Sequence, residues 1–122
     1  MSEIANKIEL MLKELFLYNI ILKEHYINYK GQRLFFDIFI KDLGVLIEIQ
    51  GRQHFEFVKH FHGSMEGFLE QKRRDNLKLE YIEEHSKLCL VRFNYDENIT
   101  KEMVLKRIVE GLSSEEGYIY KK

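Results

Sequence analysis

The stretch RLFFDIFIKDLGVLIEIQGRQHF, Arg33 to Phe55, governs how the rest of the chain is read. Leu34 to Ile40 is β-branched and aromatic except for Asp37, and Val45 to Ile49 is apolar except for Glu48. Between them Lys41-Asp42-Leu43-Gly44 has the polar and glycine content of a hairpin loop. With Asp42 and Leu43 as the loop residues, Lys41 faces Gly44 and Asp37 falls opposite Glu48. Strand alternation then puts Asp37, Leu46, Glu48 and Gln50 on one sheet face. Two like charges facing each other across a hairpin are unfavourable. Something must offset that cost, and a divalent cation does so directly, which points to a metal site.

Isolated carboxylates in strands usually point to solvent. That reading suits this pair less well, because Phe35 and Phe39 would share the exposed face with Asp37. Gln50, Gly51, Arg52, Gln53 and His54 also gather hydrogen-bonding groups directly after the strand. Strand ends leading into loops are where α/β domains place chemistry.

Composition sets the limits. At 122 residues and 14.8 kDa the chain is long enough for one real core, so 1–122 reads as a single domain. Hydrophobic residues at 45% with 32% charged residues suit a globular protein rather than a disordered one. The single cysteine, Cys89, excludes an intramolecular disulfide and sits in an apolar run as a buried thiol. No window is long and apolar enough to span a membrane, and MSEIANK lacks the plan of a signal peptide. The expected setting is intracellular. With a net charge of −1 there is no global pull toward nucleic acid, so such binding needs a local basic patch or a metal.

In chain order, a helix is expected from about Ser2 to Leu17, with Ser2 as N-cap and Glu3 in the first turn. Ile4, Ala5, Ile8, Met11, Leu12, Leu15 and Phe16 form its apolar arc, with Glu9 at the edge. Ile20 to Tyr29 reads as a strand, and Lys30-Gly31-Gln32 turns into the hairpin. A loop from Gly51 to Gly63 precedes a long helix from about Ser64 to His85, capped by Ser64. Leu88 to Tyr95 reads as a central strand. A last helix, capped by Asn98 or Thr100, runs to about Glu110 and ends at Gly111. Residues 112–122 form a tail that is either frayed or docked through Tyr118 and Tyr120.

The long helix carries the second unusual feature. Met65, Phe68, Leu69, Leu79 and Ile82 define its buried stripe, and Asp75 lies inside that stripe. An inward aspartate is costly unless paired or bound to metal. One reading is a structural pair with Lys78 or Arg74. The other has Gln71, Asp75 and Lys78 facing the hairpin carboxylates. Lys72, Arg73 and Arg74 circle the helix, so only one or two can reach a phosphate, and a charge run is usually a solvated face.

The order helix, three strands with Asp then Glu-x-Gln, helix, strand, helix resembles the PD-(D/E)XK nuclease fold. It implies an α/β (α+β) mixed sheet of about four strands in the order α-β-β-β-α-β-α. LIEIQGRQHF followed by QKRRDNLK is similar to the phage and large-virus branch with an EDxHD site, related to very-short-patch repair endonucleases. The resemblance covers roughly Glu9 to Asp96. It matches Glu9 to the first-helix glutamate, Asp37 to the metal-binding aspartate, and Glu48 to the second carboxylate of the parent fold. His54 matches the active-site histidine and Asp75 the last acid. Gln50 replaces the lysine that names the parent fold, so its role moves to His54, Lys78 or a metal-bound hydroxide.

The implied activity is Mg²⁺-dependent endonucleolytic cleavage of DNA, with Mn²⁺ able to substitute. Asp37 and Glu48 would be the metal ligands. His54 would exchange a proton near neutral pH. Arg52, Gln53, Gln71, Lys72, Arg74 and Lys78 would contact the nucleic acid. The setting implied is a phage, viral or bacterial cell, and paired cuts would call for a homodimer or larger assembly. Two rivals remain: a catalytically weak DNA-binding or junction-recognition module, and a nuclease-like subunit acting with a partner.

Overall fold

The hairpin forms as its sequence dictates. In the computed structural model, which describes residues 2–52, 56–114 and 118–119, β2 (Gln32–Ile40) runs antiparallel to β3 (Val45–Gln50). Ile38 pairs with Ile47 and Ile40 with Val45. Continuing that register sets Asp37 across from Glu48. At the turn, Gly44 adopts φ +70°, and a Cβ there would collide with the Lys87 carbonyl. β1 (Ile21–Tyr29) pairs antiparallel with the outer side of β2. Lys30 (φ 50°) and Gly31 (φ 74°) join the two strands with both central residues left-handed, the geometry that matches strand twist.

β4 (Cys89–Asn94) joins β3 in parallel, so the connection must cross over the sheet. That crossover carries α2 (Lys59–His62) and α3 (Met65–Glu84). α1 (Glu3–Leu15) precedes the sheet and α4 (Lys101–Ser113) follows β4. β5 (Tyr118–Ile119) adds a short parallel strand beside β4, giving the order β1-β2-β3-β4-β5. The expected order α-β-β-β-α-β-α is present, with α2 and β5 as additions. The expected loop 51–63 contains α2, and the tail contributes a strand.

Caps follow local chemistry. Ser2, Ser64 and Thr100 each accept from a backbone N–H of the helix they begin, at Ala5, Gly67 and Met103. α4 continues past the expected end to Ser113. Gly111 is buried within it rather than ending it. No described helix is long and apolar enough to cross a membrane.

The sheet has a core on each face. α1 and α4 cover one face, where Ile8 and Leu12 meet Ile38, Ile40, Val45, Ile47, Val91, Phe93, Val104 and Ile108. α3 covers the other, where Ile82 meets Leu34, Phe36, Leu46 and Leu90. β2 therefore changes faces along its length: Leu34 and Phe36 pack toward α3, whereas Ile38 and Ile40 pack toward α1 and α4. Residues two apart on a regular strand share a face, so the strand is distorted between them, at Asp37. Across from Asp37 stands Glu24, a non-glycine residue at φ 54°. The simple alternation expected for Phe35, Asp37 and Phe39 fails at this distortion. Phe39 packs against the α3-side core, and Phe35 contacts Tyr26 instead.

Candidate functional site

The site grows out of that distortion. The β2–β3 ladder stops at the Ile38–Ile47 pair, although both strands continue beyond it. Where they part, the Asp37 carboxylate accepts the Ile49 N–H at 2.8 Å and takes the place of a ladder bond. The gap opens into a cleft of about 520 Å³. β2 and β3 contribute Asp37, Glu48 and Ile49 to it, α3 contributes Gln71, Arg74 and Lys78, and Arg33 and Tyr95 also line it. The N-terminal end of α1 closes one side through Ser2 and Ile4. Five of the predicted residues thus meet in one place: Asp37, Glu48, Gln71, Arg74 and Lys78.

Glu48 is the most enclosed acid of the group, 3% exposed. Its Oε1 accepts from Lys78 Nζ, and its Oε2 accepts from Arg92 Nε at 2.8 Å. Both cations are themselves buried. The charge that the hairpin register leaves to be offset is met here by Lys78 and Arg92. A buried carboxylate needs such partners, because desolvation without them costs several kcal/mol per ion, to order of magnitude.

Asp75 faces inward, as its place in the helical stripe requires, and is 7% exposed. Its Oδ1 accepts from Gln71 Nε2 at 3.3 Å, one turn earlier. The Arg92 guanidinium donates to the Asp75 backbone carbonyl at 3.3 Å, tying this turn of α3 to the Glu48 cluster. The Lys78 ammonium goes to Glu48. Of the expected stripe on α3, Ile82 is buried and Leu79 packs on the core, but Met65 and Leu69 are more than half exposed. The first turns of α3 lie against α2. Phe68 contacts Phe57 and His62.

The remaining predicted residues lie elsewhere. Glu9 is buried on α1 beside Lys13 and Lys23, at 3.8 and 3.5 Å, and does not line the cleft. Gln50 is buried at the end of β3 opposite Asn94, also off the cleft lining. Arg52 pairs with Glu56 in solvent, and Lys72 lies over the Phe68 ring at 5.6 Å. Gln53 and His54 lie outside the described residues. His60 and His62 fall in α2, where the His62 Nδ1 accepts the Val58 N–H. Among the described residues, no three His, Cys, Asp or Glu side chains converge closely enough to form a ready-made metal cluster.

Sequence reasoning passes over Arg92 and Arg33. Arg92 is masked by its setting in the apolar run LCLVRFNY, although a lone arginine in a central strand signals a buried counter-charge. Arg107 steadies β4 from the opposite face: it donates to the Arg92 carbonyl at 3.2 Å and pairs with Glu97, which also accepts the Asn94 N–H at 2.8 Å. One cysteine expectation holds as well: Cys89 is buried, and burial pushes its thiol pKa up to about 11. No protein-family model, curated protein or solved structure matches the chain.

Proposed function

We propose that the protein is a Mg²⁺-dependent endonuclease that hydrolyses DNA phosphodiester bonds in the Asp37–Glu48 cleft. One observation carries the reading: two carboxylates, adjacent across a splayed hairpin, share a cleft with the basic groups Arg33, Arg74 and Lys78. A phosphodiester needs that combination, with acids for the attacking side and cations for the phosphate oxygens.

The donor chemistry suits Mg²⁺, which takes hard oxygen ligands and often only one or two carboxylates. The Lys78 ammonium on Glu48 already marks a position where positive charge is favoured. Asp37 and Glu48 would hold the ion, which supplies a water of lowered pKa and neutralises charge on the phosphate. Arg74 and Arg33 would orient the phosphate, and Gln71 would steady it through neutral hydrogen bonds. Lys78 would stabilise the charge that develops in the transition state, the task left open by Gln50. Arg92 acts through Glu48 as a positioning residue.

A second reading, a DNA-binding module with little or no catalysis, is favoured by the double engagement of Glu48 by Lys78 and Arg92. Supercoiled plasmid separates the two. The nuclease reading expects nicked or linear product in Mg²⁺ and none in chelator. Retention of the plasmid without any product, at protein concentrations that shift its mobility, would favour the module.

A further inference from the structure

We infer that the cleft takes nucleic acid with unpaired bases, because a stack of exposed Arg33, half-exposed Tyr26 and partly buried Phe35 stands at its rim. The inference rests on reading the cleft as a phosphodiester site. The Arg33 guanidinium lies over the Tyr26 ring at 4.0 Å. The Tyr26 and Phe35 ring centroids are 5.1 Å apart across the β1–β2 ladder. Arg33 and Phe35 line the same cleft as Asp37 and Glu48.

A cross-strand aromatic pair stabilises the sheet it lies on. Here Tyr26 is 48% exposed on an edge strand, and Arg33 is exposed beside it. Such a surface offers ring faces and a planar cation to a partner that can stack. Nucleobases do so without regard to sequence, since every base has a π-face. A duplex keeps its bases stacked inside, so only an unpaired base can reach these rings.

The spacing agrees. Phe35 and Asp37 are two residues apart on β2, so their backbones lie no more than about 7 Å apart even across the distortion. A base resting on Phe35 would therefore belong to a nucleotide next to the phosphate at Asp37. The net charge of −1 points the same way. Duplex binding draws most of its affinity from phosphate contacts by a basic surface, whereas stacking supplies affinity without one.

Fluorescence anisotropy tests this in chelator, where a metal-dependent reaction does not proceed. The probes are labelled single strands of DNA and RNA and a DNA hairpin duplex of the same sequence. The single strands should bind more tightly than the duplex. Tyr26→Ala and Phe35→Ala should weaken single-strand binding by about 5- to 150-fold, the range for loss of one base–aromatic stack. Tyr26→Phe, which keeps the ring, should bind like the wild type. Thermal melts check folding, and half-exposed Tyr26 serves as the safe variant if Phe35→Ala unfolds.

Equal or tighter binding of the duplex, or alanine variants that bind single strands like the wild type, would overturn the inference. Plasmid cleavage is scored separately. Hydrolysis in Mg²⁺ with no single-strand preference defeats the inference and leaves the nuclease reading intact. Aromatic-dependent single-strand binding with no hydrolysis does the reverse.

Discussion

Ile47 and Glu48 are consecutive residues of β3, both buried, one against each face of the sheet. Around Ile47 the α1–α4 face is filled by aliphatic and aromatic side chains, a core in the ordinary sense. Around Glu48 the α3 face holds Lys78, Arg92 and the inward edge of Asp75. Farther along the same face, Leu34, Phe36, Leu46 and Ile82 restore apolar packing. The polar cluster is thus confined to the end where β2 and β3 part. Burying apolar surface stabilises at about 25 cal/mol per Å², whereas an ion cluster roughly cancels its own desolvation. A fold seeking only stability would place hydrophobes at both positions; the proposed chemistry in the adjoining cleft would account for the difference.

The sharpest way to break the contrast is to truncate each neighbour. Glu48→Ala leaves Lys78 and Arg92 buried without their counter-charge and should cost roughly 3–5 kcal/mol in denaturant melts. Ile47→Ala should cost about 2–5 kcal/mol through a cavity. The contrast appears on refilling. Glu48→Met together with Lys78→Met and Arg92→Met should recover most of the lost stability, but no activity. A triple variant as unstable as Glu48→Ala would show that the ion cluster holds the fold rather than the site.

Asp75 sharpens the same point. An asparagine there can still accept from Gln71 Nε2, so Asp75→Asn should leave the melting temperature close to that of the wild type. On the nuclease reading cleavage should fall, by up to roughly 10²-fold, because Asp75 holds Gln71 of the cleft rather than lining it. A loss of about 3–5 kcal/mol with the rate retained would assign Asp75 to structure instead.

The hairpin turn gives a smaller effect. Gly44 at φ +70° approaches the Lys87 carbonyl, and its own carbonyl accepts the Cys89 N–H at 2.9 Å. Gly44→Ala should therefore destabilise by about 1–3 kcal/mol. Gly31 has no neighbour in the way of a Cβ, so Gly31→Ala should carry only the backbone cost, about 1–2 kcal/mol. Equal losses at the two sites would remove the Lys87 contact from the account.

The smallest effect concerns acid. Burial acts to raise the Asp42 pKa, but hydrogen bonds from the Ile20 N–H, the Asn19 amide and its own backbone N–H outweigh it and hold the pKa below its ordinary 3.8. The folded-state pKa lies below the unfolded one, so this contribution is present above about pH 4 and fades as pH falls through the folded value. Asp42→Asn should flatten the acid limb of the stability curve slightly and leave the neutral plateau nearly unchanged. An unaltered acid limb would contradict the assignment.

Much of the fold and part of the site are legible in the residues themselves. The hairpin register follows from loop chemistry and the alternation of Ile38, Ile40, Val45 and Ile47. The helix starts follow from Ser2 and Ser64, and for α4 from Thr100, one of the two caps its sequence offers. The inward position of Asp75 follows from helical period. Three things are not legible, for physical reasons. Alternation cannot foresee the distortion at Asp37, where Glu24 adopts a left-handed φ across the ladder. A helical stripe cannot show that Met65 and Leu69 are left exposed at the start of α3. Charge counting along the chain cannot join Arg92 to Glu48, since their proximity comes from the parallel β3–β4 pairing.

The most direct test of the central claim places rate and stability side by side in Asp37→Asn. The asparagine side-chain oxygen can still accept the Ile49 N–H, so the splayed hairpin keeps its closing bond. The account predicts a melting temperature close to the wild-type value, loss of the Mg²⁺-induced rise in that temperature, and no cleavage of supercoiled DNA. A folded Asp37→Asn protein that still cleaves at the wild-type rate, or a wild type that cleaves equally well in chelator, would contradict it.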